Sequence, residues 1–223
     1  FDESSSFNEK WSYGNEQNLI DYSFLFKKII DDPDLIIYVK PKKYETLFKR
    51  LKPINELLQR ALKTNRLNII KAYKNCITPA HASLNSNLGI HNSLYAATAG
   101  IESILSGTTT FYLDHDNWKI SKINDFGKGK FIFDNWEDLW IEVELFFKTK
   151  KRFEDYHSIE LLDYFDPYRD GLASSRIAEY LNNLINGFDK GMKSMENIEN
   201  ANHKFINKWG KDKIVNSNLK NVI

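Results

Sequence analysis

The stretch that most constrains the fold is residues 87–114, which read NLGIHNSLYAATAGIESILSGTTTFYLD. Residues 88–91 and 108–113 are short runs with the β-branched and aromatic side chains that strands favour. Between them, apolar residues recur at spacings of three and four, as on one face of a helix, at Leu94, Ala97, Ile101 and Leu105. Gly107 is placed to end that helix. Two short strands joined by about a dozen helical residues predict a parallel βαβ crossover.

The start of the predicted helix, at residues 94–105, is a candidate anion site. Its first peptide N–H groups and the positive end of its dipole lie at the carboxyl end of the preceding strand, where they favour phosphate. Asn92 or Ser93 can cap the helix, and small residues at 96–100 let its backbone approach a sheet or a ligand. His91 ends the strand, so we expect its side chain beside the helix start, as a general base or as a structural histidine.

The composition excludes several classes of protein. The 31 basic and 30 acidic residues give a formal charge of +1, which argues against nucleic-acid binding. The single cysteine, Cys76, precludes an internal disulfide or a cysteine-cluster metal site, and we expect an unreactive thiol in a reducing compartment. No apolar run is long enough to span a membrane and no signal peptide is present, so we expect a soluble, cytoplasmic protein. The acidic, serine-rich start at Phe1 is interpreted as part of a longer protein.

The remaining periodicity predicts strands and helices on either side of the βαβ unit. A nearly continuous apolar run at residues 35–39 is typical of a strand buried on both faces of a parallel sheet. Shorter strands are expected at residues 67–70 and 131–133. Amphipathic helices are expected at residues 16–30, 44–51, 54–62, 135–147, 173–185 and 192–209.

Together these elements predict an α/β fold with one Rossmann-like sheet of about five mostly parallel strands, flanked by helices. We divide the chain into three parts along its length. Residues 1–33 form a lead-in segment, irregular at first, followed by a helix. Residues 34–150 form the Rossmann-like core, and residues 151–223 form a helical C-terminal extension of the same domain.

Two further groups of polar residues are candidates for a site. Lys40 and Lys42 flank Pro41 at the carboxyl end of the first predicted strand, where open α/β sheets tend to place ligand contacts. They are interpreted either as phosphate or acidic-sugar contacts or as a solvated basic loop. Thr78 and Pro79 predict the cap and first residue of a short helix. His81 in that helix is a candidate general base or sugar contact, or a structural histidine.

Three features in this order resemble the C-terminal, nucleotide-sugar-binding domain of GT-B glycosyltransferases. They are a buried strand that ends in Lys-Pro, the segment Ile-Glu-Ser-Ile-Leu-Ser-Gly at residues 101–107 before another strand, and Asp-Pro-Tyr-Arg-Asp-Gly-x-Ala-x-x-Arg-Ile at residues 166–177. The last segment is similar to segments near the ends of transferases of bacterial capsule and O-antigen pathways. The resemblance covers roughly residues 34–210.

The resemblance implies the roles of particular residues. Positions that match the superfamily pattern are Ser93, Thr98, Glu102, Ser103, Gly107 and Asp114. It implies that the helix start around Asn92, Ser93 and Leu94 receives the phosphates of a nucleotide sugar, and that Glu102 accepts hydrogen bonds from ribose hydroxyls. Leu94 stands where retaining enzymes of this superfamily carry a second glutamate, which leaves their mechanism in question for this chain.

The implied reaction is displacement at the anomeric carbon of a nucleotide-sugar substrate, with a nucleoside phosphate as leaving group and no required cofactor or metal. The acceptor, a glycan or a lipid-linked glycan, would bind an N-terminal domain that this sequence does not contain. The implied location is the cytoplasm, with the inner face of the cell membrane as the alternative. Two competing functions remain open: a nucleotide-sugar epimerase of similar fold, and a non-catalytic module that binds carbohydrate or protein.

The charged residues of the late segment have two interpretations of their own. Asp166, Arg169, Asp170 and Arg176 are expected to form either a salt-bridged corner that fixes the last helices or a contact to the donor.

Overall fold

The structure is a computed structural model that describes residues 1–2, 14–71, 77–95 and 97–210. Cys76 and most of the predicted irregular lead-in lie outside these residues. The chain divides into two compact units, Phe1–Leu162 and Asp163–Ile223, and each is described by itself. All the predicted nucleotide and catalytic residues belong to the first unit, except for the alternative donor contact at residues 166–176, which lies in the second.

Helices and short strands alternate along the first unit. The strands are β1 (Ile37–Val39), β2 (Leu67–Ile69), β3 (Gly89–His91), β4 (Thr110–Leu113) and β5 (Ile132–Phe133). The helices before β3 are α1 (Asn15–Asp31), α2 (Tyr44–Arg50), α3 (Asn55–Lys63) and α4 (Pro79–Ser83), with a 3-10 turn at Lys52–Ile54. The later helices are α5 (Thr98–Leu105), α6 (Asn124–Gly127), α7 (Trp136–Thr149), α8 (Phe153–Tyr156) and α9 (Ile159–Phe165).

The strands form two small parallel sheets. β1 pairs with β2, with Ile37 opposite Leu67. β4 lies between β3 and β5 in the second sheet, with Gly89 opposite Thr110. The predicted α/β class and the parallel βαβ unit of β3, α5 and β4 are therefore confirmed. The prediction of one five-stranded sheet is wrong, because β1 and β3 are not paired with each other.

Residues 1 and 2 lie between the two sheets and bond to both. The Phe1 nitrogen donates to the Ile90 carbonyl (2.6 Å), and the Asn92 N–H donates to the Phe1 carbonyl (3.5 Å). The Asp2 N–H donates to the Lys40 carbonyl, just beyond β1 (3.2 Å). Phe1 therefore pairs with the end of β3 and Asp2 with the end of β1, as successive residues of a central strand do.

A buried ion pair fixes Asp2 in this position. The Arg50 guanidinium at the end of α2 reaches both carboxylate oxygens of Asp2, at 2.7 and 3.2 Å. Asn18 of α1 donates to the same carboxylate (3.1 Å) and accepts from Arg50 (3.1 Å). The carboxylate thus has hydrogen-bond partners from two helices, as a buried charge requires.

The two sheets differ in how they are buried. β4 is the middle strand of its sheet, and its residues Phe111, Tyr112 and Leu113 have no exposed surface. By contrast, Ile36 and Tyr38 are 56% and 50% exposed. The prediction that residues 35–39 are buried on both faces is therefore wrong for this strand. The core beside β1 and β2 is built with α1, α2 and α3 from Tyr22, Phe26, Ile29, Val39, Leu47, Leu51, Leu58, Ala61 and Leu67.

The second unit is built on a pair of helices, α10 (Ala173–Asp189) and α11 (Ser194–Trp209). A fully buried Asn197 on α11 donates to the Leu184 carbonyl of α10 (2.7 Å). A Cβ on residue 187 would lie 1.7 Å from Asn197 Oδ1, so glycine is the residue that permits this approach.

The charged segment before α10 forms a corner. The buried Arg176 guanidinium pairs with Asp170 and lies 3.6 Å from the ring centroid of Tyr168. Asp166 accepts the backbone N–H of Arg169 (2.9 Å), which shapes the turn. The salt-bridged interpretation is confirmed for Asp170 and Arg176, whereas Arg169 pairs with Asp163 (2.8 Å).

None of the helices in the described ranges is both long enough and apolar enough to cross a membrane.

The Asp2–Arg50 pair makes a testable contribution to stability. In Arg50→Ala the Asp2 carboxylate stays buried without its cation, so the free energy of unfolding should fall by about 3–5 kcal/mol in chemical denaturation. The double variant Asp2→Ala, Arg50→Ala should lose less, because no unpaired charge remains. Lys122→Ala, which removes an exposed pair with Asp125, is the control and should have little effect. A double variant less stable than Arg50→Ala would contradict this account.

Candidate functional site

Helix α5 begins four residues later than predicted. Its first residue is Thr98, and the residue before it, Ala97, makes no side-chain cap. Asn92 and Ser93 do not cap the helix because α5 starts at Thr98, several residues beyond them. The Asn92 N–H donates to Phe1, and the Ser93 N–H donates to His91 Nδ1 (3.2 Å). The predicted helix start at Leu94 is therefore wrong, and Asn92, Ser93 and Leu94 are buried in the loop before α5. Their contact with phosphate stays a prediction.

The small residues of this region let α5 pack closely on the sheet. A Cβ on Gly100 would lie 2.3 Å from the Tyr112 hydroxyl, which donates to the Ala97 carbonyl (3.1 Å). Ser103 is fully buried and its Oγ lies 2.7 Å from Thr110 Oγ1 on β4. Ser103 therefore faces the sheet in this structure, and its contact with a ligand stays a prediction.

Thr98 and Glu102 are the predicted binding residues of α5 that reach solvent. Both are exposed. They are four residues apart, so they lie one turn from each other on the same face of the helix. Thr98 is the first residue of α5, beside the first unpaired peptide N–H groups. The structure thus leaves an exposed hydroxyl and an exposed carboxylate next to a helix N-terminus.

Asp114 ends β4, but its carboxylate is already engaged. The side chain is buried, and its two oxygens accept the Trp118 backbone N–H at 2.9 and 3.0 Å. This contact caps the turn after β4. It also fixes Trp118 against Tyr95, with ring centroids 4.9 Å apart and the rings nearly perpendicular. Tyr95 is 48% exposed, so an aromatic surface that we did not predict lies beyond β3 and β4.

The two histidines predicted as general bases are in different environments. His91 has no exposed surface, and burial lowers its pKa to about 3. Its ring lies between those of Phe1 and Tyr112, with centroids 6.3 and 5.4 Å away. It is a neutral histidine of the core, so the structure gives it no path to a substrate proton. His81 is exposed on α4, where the predicted cap is confirmed because Thr78 accepts the His81 N–H (3.2 Å).

Lys40 and Lys42 follow β1, at the edge of the other sheet. Lys40 is partly buried and its carbonyl accepts from Asp2, whereas Lys42 is exposed. Lys42 therefore offers an accessible cation near the carboxyl ends of the strands.

A buried polar cluster around Asp21 was not predicted. Asp21 lies on α1 and is only 1% exposed. Its Oδ1 accepts from Trp136 Nε1 (2.8 Å) and Gln17 Nε2 (3.0 Å), and lies 3.1 Å from His115 Nε2. Asn92 donates to Oδ2 (3.4 Å). The cluster joins α1, α7 and the ends of β3 and β4.

The sequence contains a signal that points to Asp21. Asn18, Asp21 and Tyr22 are spaced three and four residues apart within the apolar face of α1, beside Phe26 and Ile29. Polar residues on a buried helix face require partners, which is a stronger indication than a general amphipathic pattern.

The charge of Asp21 acts on His115. Burial opposes protonation of this imidazole, but the hydrogen bond and charge of the Asp21 carboxylate outweigh it and raise the pKa of His115 above its ordinary value. The Asp21 carboxylate thus favours the protonated form of His115.

His157 is a structural histidine. Its Nε2 accepts the N–H of Thr110 on β4 (3.0 Å). β5 pairs with β4 only at Tyr112 and Leu113, so it does not extend to Thr110. Burial lowers the pKa of His157 to about 3, which keeps Nε2 free of a proton and able to accept.

No group of three or more His, Cys, Asp or Glu side chains in the described part of the chain is placed to hold a metal ion. No family model, curated protein or solved structure matches this chain.

The Asp21–His115 contact predicts a change in titration. In Asp21→Asn the carboxylate charge is removed while burial remains, so the pKa of His115 should fall, as followed by NMR of its carbon-bound ring proton. The matched control is Asp116→Asn. Asp116 is exposed and contributes less to the raised pKa, so this variant should lower it less. Equal effects of the two variants would contradict the assignment.

Proposed function

We propose that this chain is the donor-binding domain of a glycosyltransferase of bacterial surface-polysaccharide biosynthesis, and that it binds a nucleotide sugar beside α5. The observation that carries the proposal is the exposed pair of Thr98 and Glu102 on one face of α5, within a parallel βαβ unit. The resemblance of residues 101–107 to the helix of GT-B donor domains supports it.

The phosphates are placed at the first turn of α5. Peptide N–H groups at a helix start have no intrahelical partner, and the helix dipole is positive there. The Thr98 hydroxyl adds a donor at this position. Lys42, exposed beyond β1, provides a cation toward the same ends of the strands.

The nucleoside is placed along the exposed face of α5. Glu102 lies one turn beyond Thr98, where a carboxylate accepts hydrogen bonds from ribose hydroxyls. Tyr95 and Trp118 supply an aromatic surface on which a base stacks, an interaction worth roughly 1–3 kcal/mol per base in other proteins.

The reaction that follows is transfer of the sugar at its anomeric carbon, with the nucleoside phosphate as leaving group. Peptide N–H groups at the α5 start stabilise the negative charge that grows on this phosphate. The acceptor glycan and the general base would come from a separate domain on the cytoplasmic side of the membrane. Neither His91 nor His81 is assigned that role.

The proposal is tested by thermal shift against UDP, GDP, CDP, CMP and dTDP. One nucleotide, at a hundred times its dissociation constant, should stabilise the chain by about 2.7 kcal/mol, or about 5–10 °C. Glu102→Ala should lose most of this shift. Glu56→Ala, an equally exposed helix glutamate on α3, should retain it. No shift with any nucleotide, or a full shift in Glu102→Ala, would contradict the proposal.

A second variant separates binding from folding. In Thr98→Glu the new carboxylate lies in the first turn of α5, where a negative charge favours the helix but repels phosphate. The melting temperature without nucleotide should stay unchanged or rise, and the nucleotide shift should disappear. A retained shift would place the phosphates elsewhere.

A further inference from the structure

A cavity of about 330 Å³ lies between the facing edges of the two sheets. Consecutive residues from each edge line it: residues 35–40 at β1 and residues 85–90 at β3. The cavity therefore follows the two strands along their length.

Peptide groups of β1 face this cavity. The Ile37 N–H donates to the Arg66 carbonyl (3.0 Å) and the Val39 carbonyl accepts from Ile70 (2.8 Å), so both residues bond toward β2. Because alternate residues of a strand bond to opposite sides, the Tyr38 carbonyl and the Lys40 N–H are directed away from β2. They point to the cavity.

Peptide groups of β3 face it from the other side. The Gly89 N–H donates to the Thr109 carbonyl (2.8 Å), so Gly89 bonds toward β4. The same alternation directs the Leu88 carbonyl and the Ile90 N–H toward the cavity. Two strand edges thus face each other across a space, and strand edges of this kind template the addition of another strand.

The first two residues of the chain show how such a strand would bond. Phe1 bonds to the edge of β3 through Ile90 and Asn92, and Asp2 bonds to the edge of β1 through Lys40. Both contacts are parallel to the neighbouring strand, and they alternate from one side to the other as in the middle of a sheet. A residue added before Phe1 in the same register would lie between Val39 and Ile90. Further residues added at this N-terminal end would continue along the cavity.

The remaining walls are largely apolar. Helices α1 and α7 supply Tyr22, Leu25, Trp136, Trp140, Val143 and Phe147. Ile36 and Tyr38 border the same space and are largely exposed. A strand in this position would pack against these apolar side chains, so we expect it to be rich in apolar residues itself.

We propose that this cavity is the seat of one extended strand of about four apolar residues, continuous with the nitrogen of Phe1 and parallel to β1 and β3. The strand joins the two sheets into a single parallel sheet in the order β2, β1, inserted strand, β3, β4, β5. This is the order of a doubly wound α/β fold, with the inserted strand at its centre. The proposal does not depend on the nature of any ligand.

The test compares two versions of the full chain that differ only in a short extension before Phe1. One carries Ser-Lys-Val-Ile-Val-Ile, and the other carries Ser-Lys-Val-Pro-Val-Pro, in which the prolines cannot donate to the Tyr38 carbonyl. The apolar extension should raise the melting temperature by about 5 °C or more over the proline version. Amide hydrogen exchange by NMR should slow at least tenfold at Lys40 and Ile90 in the first version alone.

Three results would overturn the proposal. One is an equal melting temperature and equal exchange in both versions. Another is a higher melting temperature without protection of Lys40 and Ile90, which would place the extension elsewhere on the surface. The third is protection that appears only at concentrations where the chain dimerises, which would assign the cavity to a second copy.

Discussion

The backbone pairing of residues 1 and 2 is the interaction on which the rest of the first unit depends. Phe1 bonds to the end of β3 and Asp2 bonds beyond the end of β1, so these two residues link sheets that otherwise do not pair. The buried Arg50 guanidinium holds the Asp2 carboxylate in place. Removing one partner of this pair would leave a charge without a partner in the interior, which is strongly destabilising.

The same link sets the geometry of the candidate site. Asn92 is bonded to Phe1 and to Asp21, so the chain leaves β3 as a loop and not as a helix. This loop delays α5 until Thr98, which places Thr98 and Glu102 at its exposed face. The Asp21 cluster ties α1 and α7 to the same strand ends through Trp136 and His115. The polar groups of this cluster thus hold the loops after β3 and β4 against α1 and α7.

Local patterns predicted most of the elements, because periodicity and turn residues act over short distances. The helix at residues 16–30, the cap at Thr78 and the crossover around α5 follow from such patterns. The link between the two sheets does not, because it depends on Phe1 meeting Ile90, 89 positions away. The start of α5 was misplaced because Ser93 has the side chain of a typical cap, whereas the helix begins only at Thr98, after a loop in which Asn92 bonds to Phe1 and Asp21. Within the site, the surroundings of Ser103 and Asp114 could not be predicted, because they depend on tertiary packing. Ser103 packs against β4, and Asp114 bonds to the turn that follows β4.

The central claim is that residues 1 and 2 couple the two sheets through their backbone. This claim is tested by comparing native-state amide hydrogen exchange in two variants, Asp2→Pro and Asp2→Ala. Both variants lack the Asp2 carboxylate, but only Asp2→Pro also lacks the backbone N–H that bonds to Lys40. We predict faster exchange in Asp2→Pro at Ile37 and Ile70, which bond across β1 and β2, with no change at Tyr112 and its neighbours in the other sheet. Identical exchange in the two variants, or an equal effect on both sheets, would contradict the account.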